Sequence, residues 1–157
     1  MNKTGNFDEL MAKLFALENP VNVAGQKRFG IQGNSVLGVS VYELRKMARG
    51  ISDHELAAKL WATGVHDARL LATMVDEPAM VTRVQMNHWA ADFDSWDICD
   101  QATDNLFIWA DEIHSLIPEW ANREEEFVRR AAFASMAAIA WHGEHFPDQV
   151  LEGYLAL

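Results

Sequence analysis

Apolar residues recur every three or four positions in one segment of this chain after another, and polar or glycine-containing breaks separate the segments. In residues 7–18 they fall at Phe7, Leu10, Met11, Leu14 and Phe15, one stripe of a helix. Asn6 supplies a cap for it and Asn19-Pro20 a stop. A shorter helix is expected over 23–29, ending near Gly30, and 31–39, with Gly33, Asn34, Ser35 and Gly38, reads as a loop. Ser40 then caps a helix over 41–50, with Leu44, Met47, Ala48 and Ile51 as its stripe. Ser52 or Asp53 caps 53–63, where Leu56, Leu60 and Trp61 face inward and Gly64 ends the helix. Residues 65–75 follow, and Pro78 opens a helix that carries Met80, Val81, Val84, Met86, Trp89 and Ala90.

The second half repeats the pattern. Asp94 or Ser95 starts a helix that runs to Trp109, and Asp94 with Asp97 has the spacing of a capping box. A shorter helix covers 111–120. Asn122 caps a long one over 124–142, with Glu124, Glu125 and Glu126 well placed for its dipole and Gly143 at its end. Pro147 begins a last segment, 148–157. No stretch alternates with period two, so no sheet is expected. Short amphipathic helices paired at roughly 35–40 residues predict an all-α fold, a right-handed α-solenoid of HEAT-like helical hairpins in a single domain, 1–157. A compact helical bundle is the competing architecture. The apolar run from Val150 to Leu157 leaves two readings open: it folds back on the domain, or the chain is a piece of a longer protein lacking C-terminal repeats.

Composition narrows the class. Half of the 157 residues are hydrophobic, enough for a real core, and no run of about 18 apolar residues suggests a membrane span. The first residues lack a signal-peptide core, and the one cysteine, Cys99, excludes an internal disulfide, which fits a cytoplasmic protein. Cys99 reads as a buried helix residue. The net charge of −10 argues against general nucleic-acid binding, since phosphate contacts need Lys and Arg. A basic strip on one face is compatible with an acidic remainder.

Two constellations carry chemistry. Trp96 and Asp100, four apart, share a helix face, and together an indole and a carboxylate suit a cation. The plain alternative is a core tryptophan beside a surface aspartate. Asp97 reads as structural at the helix start, and Asp104 as a solvated turn. Arg129 and Arg130 diverge by about 100° on a helix, so one can point outward, toward solvent or a phosphate, while the other turns inward and needs a carboxylate; two surface arginines are the plain alternative. Asp100 is the candidate partner. The run Ala131 to Ala138 is thin and permits close helix packing. The six histidines form no metal motif; His142 and His145 are close, but Gly143 interrupts them and no third ligand supports them. His54 and His114 read as surface residues, Asp67 as a favourable charge at a helix start, and the tryptophans at 61, 89, 109, 120 and 141 as core.

At Ser95-Trp96-Asp97-Ile98-Cys99-Asp100 the sequence resembles the AlkD-like DNA alkylation repair family, HEAT-like repeat DNA glycosylases acting on N3- and N7-alkylated purines. The pieces follow in the family's order: Arg28-Phe29-Gly30-Ile31, Leu37-Gly38-Val39, Leu44-Arg45, Leu60-Trp61, His66-Asp67-Ala68-Arg69, then W-D-x-x-D at 96–100 and Phe127 to Ala132 as x-x-R-R-x-A. Asp67 stands where Glu is usual, and Arg69 comes one residue early. The resemblance implies Asp100 as the catalytic carboxylate, Trp96 as the aromatic beside the lesion, and Arg130 near the backbone or the carboxylate; Arg129 and Arg130 are the DNA-binding arginines. It implies alkylated duplex DNA as partner, an open concave surface bearing Trp96, Asp100 and Arg130, no metal and no cofactor. It also implies a further aromatic in a later repeat that this chain does not reach. The alternative function is a non-catalytic HEAT-like scaffold for a protein or a nucleic acid, which the negative charge suits. A third is a bundle binding a small cation near Trp96.

Overall fold

The computed structural model describes residues 6–31, 35–143 and 148–155. Among them the helices are α1 (Phe7–Ala16), α2 (Pro20–Arg28), α3 (Val41–Ala48), α4 (His54–Ala62), α5 (His66–Val75), α6 (Arg83–Ala91), α7 (Trp96–Asn105), α8 (Ile113–Ala121), α9 (Glu126–Trp141) and α10 (Asp148–Tyr154). Short 3-10 turns cover Pro78–Met80 and Phe107–Trp109. No β-strand occurs among the described residues, as the absence of period-two alternation predicts. No helix there is long and apolar enough to cross a membrane. The chain forms two compact units, Met1–Met80 and Val81–Leu157.

In the first unit α4 and α5 pair across Thr63–Val65, where Gly64 takes a positive φ of 68° and ends α4. The α1 and α3 helices pack on this hairpin. Leu14, Leu44, Leu60 and Leu71 are wholly buried, and Trp61 is 2% exposed. Leu56, Leu60 and Trp61 all face inward, as expected, whereas Phe15 is exposed on α1. Asn19-Pro20 both ends α1 and starts α2: the Asn19 side chain accepts from the Val21 and Asn22 amides, with Pro20 in the first turn. The α2 helix therefore begins three residues before its expected start, and it buries none of its side chains.

The largest departure in this unit is Asp67. It stands in the first turn of α5, as read, but does more than favour the dipole. Fully buried, its carboxylate accepts from the backbone of Leu37 at 2.6 Å and of Val39 at 2.7 Å. Those amides belong to the segment read as a loop, and Asp67 gives the donors the partners that a burial site without water demands. Gly38, between them, has φ of 76°, and a Cβ there would lie 2.6 Å from the Asn19 carbonyl oxygen. The segment is further tied by Asn22 donating from Nδ2 to the Gly38 carbonyl.

In the second unit α9 packs on α6, α7, α8 and α10. Its buried face is made of Val128, Ala131, Ala132, Ser135, Ala138 and Ile139. Beneath lies an aromatic cluster in which the Phe107 ring is 5.9 Å from Trp120 and 6.4 Å from Trp89. The Trp120 indole donates to Asn87, giving a buried N–H its partner.

Several boundaries differ from expectation for local reasons. Pro78 starts a 3-10 turn, and the cap of α6 is Thr82, whose hydroxyl accepts from the Gln85 amide. Met80 and Val84 are consequently exposed, while Val81, Met86, Trp89 and Ala90 are buried. The α7 helix ends at Asn105 before the turn Phe107–Trp109. Its N-cap is Ser95, with no side-chain capping bond. Asn122 closes α8, and α9 starts at Glu126. Trp109 is 39% and Trp141 85% exposed, so neither is core. His54 is half-buried, its Nδ1 2.7 Å from Asp76, and the exposed His114 meets the Tyr154 hydroxyl. The α10 helix packs on α9. Gly33, Asn34, His145, Pro147 and Leu157 lie outside the described residues.

The Asp67 clamp has a measurable consequence. Asp67→Ala leaves two buried amides without acceptors, each worth about 1–3 kcal/mol. Urea denaturation should show a loss of roughly 2–5 kcal/mol with an unchanged m-value; a loss under 1 kcal/mol would show that water replaces the carboxylate.

Candidate functional site

The small buried face of α9 decides the site. Ala131 and Ala132 are wholly buried and add almost no bulk, so α9 comes close to α7. On the adjoining face Arg130 then reaches Asp100. Its Nε and one Nη each donate to one carboxylate oxygen at 2.8 Å, a bidentate pair. The expected partnership is made. Both side chains remain partly open, Arg130 at 44% and Asp100 at 35% exposure. The bonded carboxylate raises the Arg130 guanidinium above its ordinary value.

Arg129, about 100° away around the helix, points elsewhere. It is exposed, and its guanidinium donates to the Arg123 carbonyl at 3.1 Å. Arg123 in turn is bound by Glu125, whose carboxyl the guanidinium holds down to about 2. Trp96 opens α7 one turn before Asp100, on the same side of the helix, and is 39% exposed. The α7–α9 contact thus brings Asp100 and Arg130 together; Trp96 stands one turn before Asp100 on α7 and is not among the residues that line the groove, and Arg129 stands apart.

A groove of about 400 Å³ opens beside the pair. Asp100, Thr103 and Asp104 line it from α7, and Arg130, Phe133 and three alanines from α9. Asp104 is no solvated turn: it lies within α7, its carboxylate is 3.0 Å from His142 Nε2, and its carbonyl accepts from the Trp109 indole at 3.0 Å. The Trp109 and His142 rings meet edge to face at 5.2 Å. Sequence reasoning missed Asp104, His142 and Phe133. The signal was there: Asp104 continues the Trp96–Asp100 ladder by four residues, and Phe133 follows Arg130 by three. Among the described residues no group of three or more His, Cys, Asp or Glu could hold a metal ion.

Chemically the site offers one carboxylate fixed in orientation, a second a helical turn away, an indole, and an apolar floor. An ionised carboxylate has about four acceptor positions. Arg130 takes two at Asp100, so the others stay available to a water or a developing cation.

With the geometry in view, similarity to known proteins is specific. The model of the family described as DNA alkylation repair enzyme matches residues 10–153. A solved structure, described as belonging to a new family of proteins related to the HEAT-like repeat DNA glycosylases with affinity for branched DNA structures, superposes with a TM-score of 0.75 at 20% identity. The match covers 83% of this chain and 56% of that one, so this chain spans little more than half of that protein's length. The fold is therefore all-α and of the HEAT-like repeat kind. No curated protein sequence matches the chain.

Cys99, next to the pair, reports on its packing. It is buried, its thiol donates to the Phe127 carbonyl at 3.5 Å, and burial pushes it up to about 12. Far fewer thiolates form at pH 8 than in an exposed cysteine. A disulfide reagent should therefore label Cys99 only on unfolding; rapid labelling of the native protein would show that α7 and α9 separate.

Proposed function

This chain belongs to the DNA alkylation repair enzyme family, and on that premise we propose that it is a DNA glycosylase that excises N3- and N7-alkylated purines from duplex DNA. The observation that carries the reading is the Asp100 carboxylate, clamped by Arg130 at the edge of an open groove and one turn from a half-exposed indole. An alkylated purine is cationic and a good leaving group. Breaking its glycosidic bond moves the bonding electrons to the base and builds positive charge on the deoxyribose. Asp100 stabilises that charge and orients a water, which adds to the sugar carbon and releases a proton. Trp96 adds the attraction of its π face for the cation.

Arg130 has two opposed effects. It fixes the carboxylate, which removes the cost of orienting it during reaction. It also offsets part of the carboxylate's charge, so the pair alone is close to neutral. Asp104 adds a second carboxylate to the lining of the groove.

A second reading has its own observation. Three of the four arginines in Val81–Leu157 are bound to carboxylates, Asp100 included. The structural relative is described by affinity for branched DNA, and a non-catalytic protein that binds branched DNA is the alternative.

One experiment separates them. Methylated duplex DNA is incubated at low salt with wild type and Asp100→Asn, and free 7-methylguanine and 3-methyladenine are measured, beside binding to a four-way junction. Wild type should release base, and the near-isosteric variant should lose at least about 100-fold in rate with its thermal transition intact. Full release by Asp100→Asn would overturn the mechanism. Junction binding without release by wild type would replace the glycosylase with the binding protein.

A further inference from the structure

The charge of the chain is unevenly divided. Residues 1–80 hold nine acidic and nine basic residues, whereas 81–157 hold 14 acidic residues against four arginines. The whole net charge of −10 belongs to the unit with the groove. Its arginines are mostly spent: Arg83 is bound to Glu119, Arg123 to Glu125 and Arg130 to Asp100. Such a unit has little cationic surface to offer a polyanion.

The first unit has it, on α3. Leu44 and Ala48 are buried on one side of that helix. Tyr42, Arg45 and Lys46 on α3 and Arg49 at its C-cap recur at i, i+3, i+4 and i+7 on the other side, and all four are exposed. Tyr42 is 70% exposed, and the Lys46 ammonium sits 5.4 Å from its ring centre while bound to Glu43. Arg45 and Arg49, one turn apart, pair with no carboxylate among the described residues. Cations near a helix C-terminus relieve its dipole, but that is served by charge alone and needs neither an aromatic nor two arginines in line. A guanidinium fork matches phosphate oxygens in its plane, and an exposed phenol ring offers an apolar face to a sugar.

We propose that this face of α3 binds the phosphodiester backbone of DNA, with Arg45 and Arg49 each on a phosphate. The proposal rests on the reading of the chain as a protein that acts on DNA, and it supplies what the acidic unit lacks. Charge complementarity selects a polyanion, and two guanidinium forks four residues apart favour a backbone of regularly spaced phosphates.

The test is the salt dependence of binding to a short unmodified duplex, followed by fluorescence anisotropy between about 50 and 200 mM salt. Each phosphate contact contributes about 0.9 to the slope of log K against log salt. The double variant Arg45→Ala/Arg49→Ala should bind more weakly and lose close to two units of slope. The control Lys13→Ala/Arg83→Ala removes the same charge from residues already bound to Glu9 and Glu119, and its slope should match wild type. Equal loss in both variants, an unchanged slope in the first, or no salt-dependent DNA binding by wild type would overturn the proposal. So would loss of binding to anionic phospholipid vesicles with DNA binding intact, which would make the face a membrane site. Base release is measured alongside. Release with an unchanged slope sinks this surface alone, and the slope change without release sinks the glycosylase alone.

Discussion

Close approach of α9 to its neighbours is the constraint on which the second unit depends. Alanine at 131, 132 and 138 and serine at 135 give the helix a buried face with almost no side-chain depth. Helix axes normally stand 8–10 Å apart according to the side chains between them, and residues as small as these permit the near end of that range. Two bonds of 2.8 Å between Arg130 and Asp100 follow from that spacing. The same face seats α9 over the helix that carries Trp120. A larger side chain at 131 or 132 would push the helices apart and lengthen the bonds before it cost much of the aromatic core.

The pair itself contributes little to stability. Both partners are more than a third exposed, and solvent-screened ion pairs are worth about 0–1 kcal/mol. Its importance is orientation. A lone aspartate at the edge of a groove samples several rotamers, whereas one held by a planar fork presents the same oxygens to whatever enters. Asp104 is held differently, by a histidine at the end of α9 that is itself braced by the Trp109 ring edge. The two carboxylates therefore differ in their partners although one helix carries both.

Much of this was legible in residue order. The stripe of α4, the cap at Ser40 and the divergence of Arg129 from Arg130 follow from helix geometry alone, and a half-buried arginine needs a carboxylate. The Asp67 clamp was not legible, because its partners are backbone amides about thirty residues away, and backbone donors carry no sequence signature. Asn122 misled because the residue types that cap helix starts also close helix ends: it follows Ala121 and ends α8. Trp109 and Trp141 occupy stripe positions, but each stands at the end of its element and keeps much of its ring exposed. Asp104 was hidden by being read one at a time, when its meaning lies in continuing the Trp96–Asp100 ridge into the groove.

Net charge proved the least informative number, for a physical reason. At physiological ionic strength the Debye length is about 8 Å, so acidic side chains farther than that from a bound strand are largely screened. What counts is the set of cations within reach of phosphate and not already matched by a carboxylate. In Val81–Leu157 that set shrinks to Arg129 among the described residues, itself bonded to a carbonyl. In Met1–Met80 the neutral total conceals Arg45 and Arg49, which pair with no carboxylate among the described residues. A chain of charge −10 can thus meet a polyanion through a few local contacts. Few contacts mean modest affinity and a shallow salt slope, so under the proposed glycosylase function discrimination between lesion and normal base falls to the carboxylates, the indole and the groove rather than to the strength of the grip on DNA.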